Sequence, residues 1–203
     1  MGTATFLPPA AILSLTWFAL INSITPGPNN ILLAASGVNF GVRASYPQMA
    51  GIFTGIVAVT LACGLGLGAI FDTYPLVREV MRVLGFLYIL YFAWRIGTSG
   101  SLSSGELARP MSFATSLSIQ PANLKLWMTS IAIVALYVRP GHALADTLVV
   151  TAAFALTNLT CMFVWAGFGA GLRDYLRVPG HIRAFNIAMA VALVASILPL
   201  LRD

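Results

Sequence analysis

"SITPGPNNILLAAS", residues 23–36, is the stretch on which the fold turns. It lies inside a run from Met1 to Val42 that contains no Asp, Glu, Lys or Arg, where an uninterrupted helix would be the simplest way to keep peptide groups paired in an apolar surrounding. Pro26 and Pro28 instead remove two backbone donors and push the residues before them out of helical geometry, while Gly27 permits turns that other residues resist. The spacing predicts a helix that stops and starts again. A continuous helix from Ala10 to Val38 would be about 43 Å long against a hydrocarbon core of ~30 Å, so two half-helices joined by an unwound bend also fit the length better. Carbonyls freed at the bend cannot face lipid and must meet protein or line a wet cavity. Asn29 and Asn30 carry amides that can satisfy orphan backbone groups. The first N–H groups of the second half-helix present partial positive charge, for which a carboxylate is the natural partner.

The rest of the 203-residue chain agrees with a membrane setting. It is 59% hydrophobic and only 8% charged, far from the soluble globular norm. Further charge-free runs, Ala44 to Phe71 and Thr147 to Leu172, reach the roughly 20 residues that a spanning helix needs, and barrel strands would be half that length. The fold class is therefore an all-α integral membrane protein. No Lys or Arg precedes the first segment as in a cleavable signal peptide, so Met1 onward is expected in the mature protein. The eleven basic residues gather mostly at segment ends and not in a run or on one face, which argues for membrane anchors and against nucleic acid as a partner. No cluster of His, Cys, Asp or Glu stands at ligand spacing, so neither a metal nor a cofactor is expected.

Apolar runs between charges and breakers give six segments: Ala10–Val38, Tyr46–Ile70, Pro75–Ile96, Phe113–Val138, Thr147–Gly171 and Ala184–Leu201. A Gly, Ser and Pro-bearing linker at 97–110 divides one transmembrane domain, 1–203, into halves of about 1–96 and 111–203. The first segment of each half is interrupted by Pro and Asn, with Pro26 opposite Pro121 and Asn30 opposite Lys125. Three crossings per half would insert the second half upside down, giving two inverted three-helix repeats with the first helix of each half broken. Lys125 is the only lysine, with fifteen charge-free residues before it and thirteen after it. An ammonium at such depth faces the bundle interior and marks a site, and Gln120 and Asn123 supply polar company. Gly51, Gly55, Gly64 and Gly68 predict close helix approach, within the fold or in a homodimer. Arg43, Arg95, Arg109, Arg173, Arg177 and Arg183 fall on one side of the six-segment arrangement, against Arg78, Arg82, Arg139 and Arg202 on the other. The positive-inside rule then favours both termini outside the cytoplasm.

"ITPGPNN", the glycines of the second segment, "GFLYILYFAWRIGTS" at 85–99, Asn123-Leu124-Lys125 and "NIAMAVALV" at 186–194 together resemble the LysE/RhtB family of bacterial amino-acid exporters over nearly the whole length. Within it, the chain is most similar to the exporters of cysteine and O-acetylserine, whose second motif likewise lacks the middle proline. The resemblance implies efflux of amino acids or close derivatives across the inner membrane, driven by the proton gradient. It places functional residues on Pro26, Gly27, Pro28, Asn29, Asn30, Asn123 and Lys125. Leu124 departs from it, since much of the family has proline there. Two rivals stand beside this reading: a thiol-disulfide electron carrier using Cys63 and Cys161, and a passive channel. The cysteines lack the basic neighbours that would activate a thiolate, and no Ser/His/Asp set supports a hydrolase.

Overall fold

The computed structural model describes residues 7–69, 73–98, 110–177 and 179–195. Regular structure among them is entirely helical: α1 (Pro9–Ile24), α2 (Pro28–Phe40), α3 (Tyr46–Gly64), α4 (Pro75–Thr98), α5 (Phe113–Ile119), α6 (Leu124–Tyr137), α7 (Ala143–Leu172) and α8 (Pro179–Ala195). By length and composition α7 and the helical stretch Arg43–Gly64 can each cross a membrane, and α1 with α2, bent by 59° at the break, is long and apolar enough for a third, broken crossing or a re-entrant loop.

Both expected breaks are present. In the first, α1 ends at Ile24 and α2 opens on Pro28, a residue suited to a first helical position because the N–H it lacks would have no intrahelical partner there. In the second, α5 ends at Ile119, Gln120–Ala122 forms a 3-10 turn, and α6 restarts at Leu124. Leu124 in place of proline does not close this break, because Asn123 caps α6, its Oδ1 accepting from the Leu126 N–H at 3.3 Å.

Several boundaries differ from those expected. α3 stops at Gly64 and not at Ile70, since the chain turns at Leu65 and Gly66, the latter at φ +96°, a conformation that favours glycine. α4 continues to Thr98 and takes the first two residues of the expected linker; 99–109 lie outside the described residues. α7 begins at Ala143, a turn before Thr147, so that Asp146 falls in its first turn, buried and held by Arg139. α8 begins at Pro179 and not at Ala184, and its expected end at Leu201 lies outside the described residues.

Packing centres on α7, which touches α1, α2, α3 and α6. α1 packs on α7 as α5 packs on α3; α2 meets α7 and α8 while α6 meets α3 and α4; α4 and α8 pack on each other. At the tightest crossing, an added Cβ on Gly37 would meet the backbone of Ala166 and one on Gly169 the backbone of Ala34, so α2 and α7 touch main chain to main chain. The glycines of α3 serve the chain's own packing too: Gly51 lies against Phe113 and Ser116, Gly55 against Gln120 and Gly64 against Thr147. Leu15, Ala19, Leu33, Ile56, Phe154 and Met162 fill the core between these helices. A second cluster, including Ile31, Phe92 and Leu193, fills the space between α2, α4 and α8. Outward faces are apolar as well, with Leu13, Trp17 and Ile21 exposed on successive turns of α1, a surface that lipid accepts and water does not.

Candidate functional site

The unwound end of α1 would strand several carbonyls, and the sequence supplies a partner for most of them. The Thr25 N–H donates to the Ile21 carbonyl at 3.3 Å and the Thr25 hydroxyl to the Asn22 carbonyl at 2.7 Å. The Asn30 amide reaches back across the break, Nδ2 donating to the Ser23 carbonyl at 2.6 Å and to the Thr25 carbonyl at 2.9 Å. Each such bond at a buried carbonyl avoids a desolvation cost of ~1–3 kcal/mol. Asn30 therefore holds the bend open. Gly27, the residue before α2, has extended backbone and offers no side-chain cap, so the first turn of α2 keeps its N–H groups uncapped.

Lys125, in the first turn of α6, extends to this bend from the other half of the sequence. Its Nζ donates to Thr25 Oγ1 at 3.0 Å and lies 3.4 Å from the Thr25 carbonyl. Gly27 makes room for it: a Cβ there would stand 3.0 Å from Nζ and 3.3 Å from Cδ. Lys125 thus stands just past the second break, at the start of a half-helix and beside the start of α2. Two helix N-termini and one ammonium, all favouring negative charge, converge there.

The breaks enclose a cavity of about 50 Å³ lined by Gly27, Pro28, Asn29, Asn30, Asn123 and Lys125, together with Asn22, Ser23, Ile56, Leu126, Thr129, Phe154 and Asn158. Six of the eight residues singled out in the sequence meet on its wall. Gln120 lies outside the lining, fully buried, and binds Asn29 from the side. Pro26 is exposed and lies outside the lining, at the break between α1 and α2. Sequence reasoning missed Asn22, Ser23, Thr129 and Asn158. Thr129 carried a usable signal, standing four residues after Lys125 and hence on the same helix face; its hydroxyl meets Asn22 Oδ1 at 3.3 Å. Among the described residues, no Asp or Glu lines the cavity. Polar character at the wall comes from amides, hydroxyls and the single ammonium.

Two further groups lie away from it. Asp146 accepts from Arg139 Nε at 2.8 Å, from its Nη2 at 2.9 Å and from its backbone N–H at 3.0 Å, closing the α6–α7 loop. The hydrogen bond to Asp146 raises the proton affinity of the Arg139 guanidinium further above its usual value. Cys63 and Cys161 are both free and buried.

An all-helical bundle with two broken helices around a polar cavity is the architecture of a membrane transporter. Residues 20–202 match the LysE type translocator family. The chain is 33% identical over 187 residues to the cysteine/O-acetylserine efflux protein of Escherichia coli strain K12, covering 90% of this chain and 94% of that protein. It is equally similar to the protein of the same description from Shigella flexneri, and 32% identical, over the same shares, to that of Escherichia coli O1:K1 / APEC. No solved structure matches the chain. The chain belongs to the LysE family of amino-acid exporters, and it is a transporter, not an enzyme.

Proposed function

We propose that the cavity between the two breaks binds a small zwitterionic amino acid, neutral or sulfur-containing, and exports it across the bacterial inner membrane. The observation that carries this is the position of Lys125 Nζ beside Thr25 and Gly27, at the two half-helix starts, in a cavity whose wall has no carboxylate among the described residues. A substrate carboxylate finds an ammonium and two positive helix ends; its ammonium finds amide and hydroxyl oxygens. A second positive charge on the substrate would find no counter-ion on that wall, which favours neutral over basic amino acids. The printed names of the relatives, cysteine and O-acetylserine efflux proteins, describe substrates of this kind.

The reading includes two inverted repeats, α1–α4 and α5–α8, in six spans. Exchanging α1 with α5, α2 with α6, α3 with α7 and α4 with α8 turns most of the main helix contacts into others that are also made, which supports it. The reading has the α2–α3 side in the cytoplasm and both termini outside, and the excess of arginine on that side supports it. Coupling to the proton gradient belongs to the reading through the family resemblance.

The test is efflux of preloaded labelled cysteine, O-acetylserine and homoserine from vesicles carrying the wild type or the Pro26→Ala/Pro28→Ala variant. The wild type should export at least one of the first two, show counterflow as a carrier does and a passive channel does not, and slow when a protonophore collapses the gradient. The double variant should insert but export little. Efflux no faster than from protein-free vesicles overturns the assignment, and normal export by the double variant reduces the break to a tolerated kink.

A further inference from the structure

A line of hydroxyls leaves the cavity in the direction of the α6–α7 loop. Thr129 is on the cavity wall, and its neighbour Ser130 is fully buried with its hydroxyl 3.0 Å from that of Thr60 on α3. One turn along α3, Gly64 lies against Thr147 of α7, where an added Cβ would come 2.5 Å from Thr147 Oγ1. Thr151, one turn further along α7, leads back to Phe154 on the cavity wall. Thr60, Ser130, Thr147 and Thr151 are 0–4% exposed, and the hydroxyls of Thr147 and Thr151 have no hydrogen-bond partner.

That last fact is unusual for a membrane helix. A threonine in α-helix has the carbonyl four residues back within reach, and a hydroxyl facing apolar surroundings normally takes it. On α7 itself Thr157 does so at 2.8 Å and Thr160 at 3.2 Å. Thr147, against Gly64 of α3, and Thr151, one turn further along α7, instead keep unpaired donors inside the packed protein. A closed seam that leaves donors unsatisfied is disfavoured relative to an open one that hydrates them, whereas a seam of Val and Leu would have no such reason to part.

We infer that α3, α6 and α7 separate along this seam to give the substrate a water-lined way from the cavity to the α6–α7 loop, with Thr60, Ser130, Thr147 and Thr151 as its lining hydroxyls. The inference rests on the cavity being the amino-acid site. The Thr60–Ser130 bond is exchanged for bonds to water when the seam parts, and Thr147 and Thr151 gain partners they lack when it is shut.

The Thr147→Val/Thr151→Val variant keeps the shape of both side chains and removes the hydroxyls. Its membrane level should match the wild type and its thermal stability after purification should be equal or higher, while cysteine efflux slows about tenfold or more; Thr151→Ser should retain efflux. Unchanged efflux overturns the inference, and so does a fall in stability that accompanies the fall in efflux, since the hydroxyls would then be holding the fold. In a second measurement, Thr151→Cys and Leu148→Cys proteins are exposed in membranes to a charged, membrane-impermeant methanethiosulfonate, and the modified site is located by peptide mass spectrometry. Thr151→Cys should be modified at a rate that added cysteine-site ligand, O-acetylserine, changes at least threefold, and Leu148→Cys, on the exposed apolar face of α7, should not react. No modification of an actively exporting Thr151→Cys protein overturns the seam and leaves the transport reading standing. Absence of wild-type efflux removes the transport reading first, whatever the labelling shows.

Discussion

Asn29 and Gln120, ninety-one residues apart, exchange both of their amide hydrogen bonds: Asn29 Nδ2 donates to Gln120 Oε1 at 3.0 Å and Gln120 Nε2 to Asn29 Oδ1 at 3.3 Å. Gln120 also donates to the Ser116 carbonyl at 2.9 Å and is pinned from behind by Gly55. The pair ties the start of α2 to the second break, so the two interruptions hold a common geometry. Gln120→Ala leaves the Asn29 amide without its partner, at a cost of ~1–3 kcal/mol. Efflux should fall about tenfold in either single alanine variant, and the double variant should fall by less than the product of the two, with a coupling of ~0.5–3 kcal/mol. Independent effects on efflux would show that the amides act separately.

Lys125 gives the sharpest expectation. Lys125→Met removes a charge from an apolar setting and so should accumulate in the membrane at wild-type level, yet export nothing and confer no resistance to toxic amino-acid analogues. Lys125→Arg should be impaired, because a planar fork does not replace a compact ammonium between Thr25 and Gly27. Undiminished vesicle efflux by Lys125→Met would remove the residue from the mechanism.

Gly27→Ala tests the same contact from the other side. The added methyl would stand 3.0 Å from Nζ and 3.3 Å from Cδ, and the flexible lysine must yield. Displacing a positioned charge by even part of an ångström weakens its hold on a ligand, so the substrate concentration for half-maximal efflux should rise on the order of tenfold with little loss of protein. An unchanged concentration dependence would mean that Nζ does not meet the substrate.

Asp146→Ala should act on stability. It removes a carboxylate that takes three hydrogen bonds from Arg139 and closes the loop before α7. Arg139 is about one-third exposed and retains water, which softens the loss, read as a lower unfolding temperature in detergent. Arg139→Lys, with Asp146 in place, should lower it by less than Asp146→Ala does, since a lysine makes one of these bonds but not the fork.

Replacing Cys63 and Cys161 together by alanine should leave efflux within about twofold of wild type, because both are buried, free thiols off the cavity wall. Loss of export with normal membrane level would return the thiol-carrier reading to consideration.

The broken architecture was legible because its causes are local. Proline and glycine act on their own peptide units, so Pro26-Gly27-Pro28 and Pro121 mark their breaks wherever the chain goes afterwards. Asn30 was legible as an amide able to serve a broken end, and it does so, while Asn123, read as polar company for Lys125, also caps α6. What could not be read was partnership across distance. Nothing near Asn22, Ser23 or Asn158 tells that they face Lys125, because their helices are brought there by packing. Asp146 does stand at a segment end, but that its partner is an arginine seven residues back, across the loop, shows only in the folded chain. Gly51 and Gly55 predicted close approach correctly, but only the assembled chain says that Ser116 and Gln120 are what they approach.

Where Gly37 meets Ala166 and Gly169 meets Ala34, no layer of side chains separates α2 from α7. Sliding of one helix over another relies on side chains that change rotamer to absorb the movement, and here there are none to change. α2, the half-helix that follows the first break, is thereby keyed straight onto α7, and a larger side chain at Gly37 or Gly169 has to push the two apart before it can be seated.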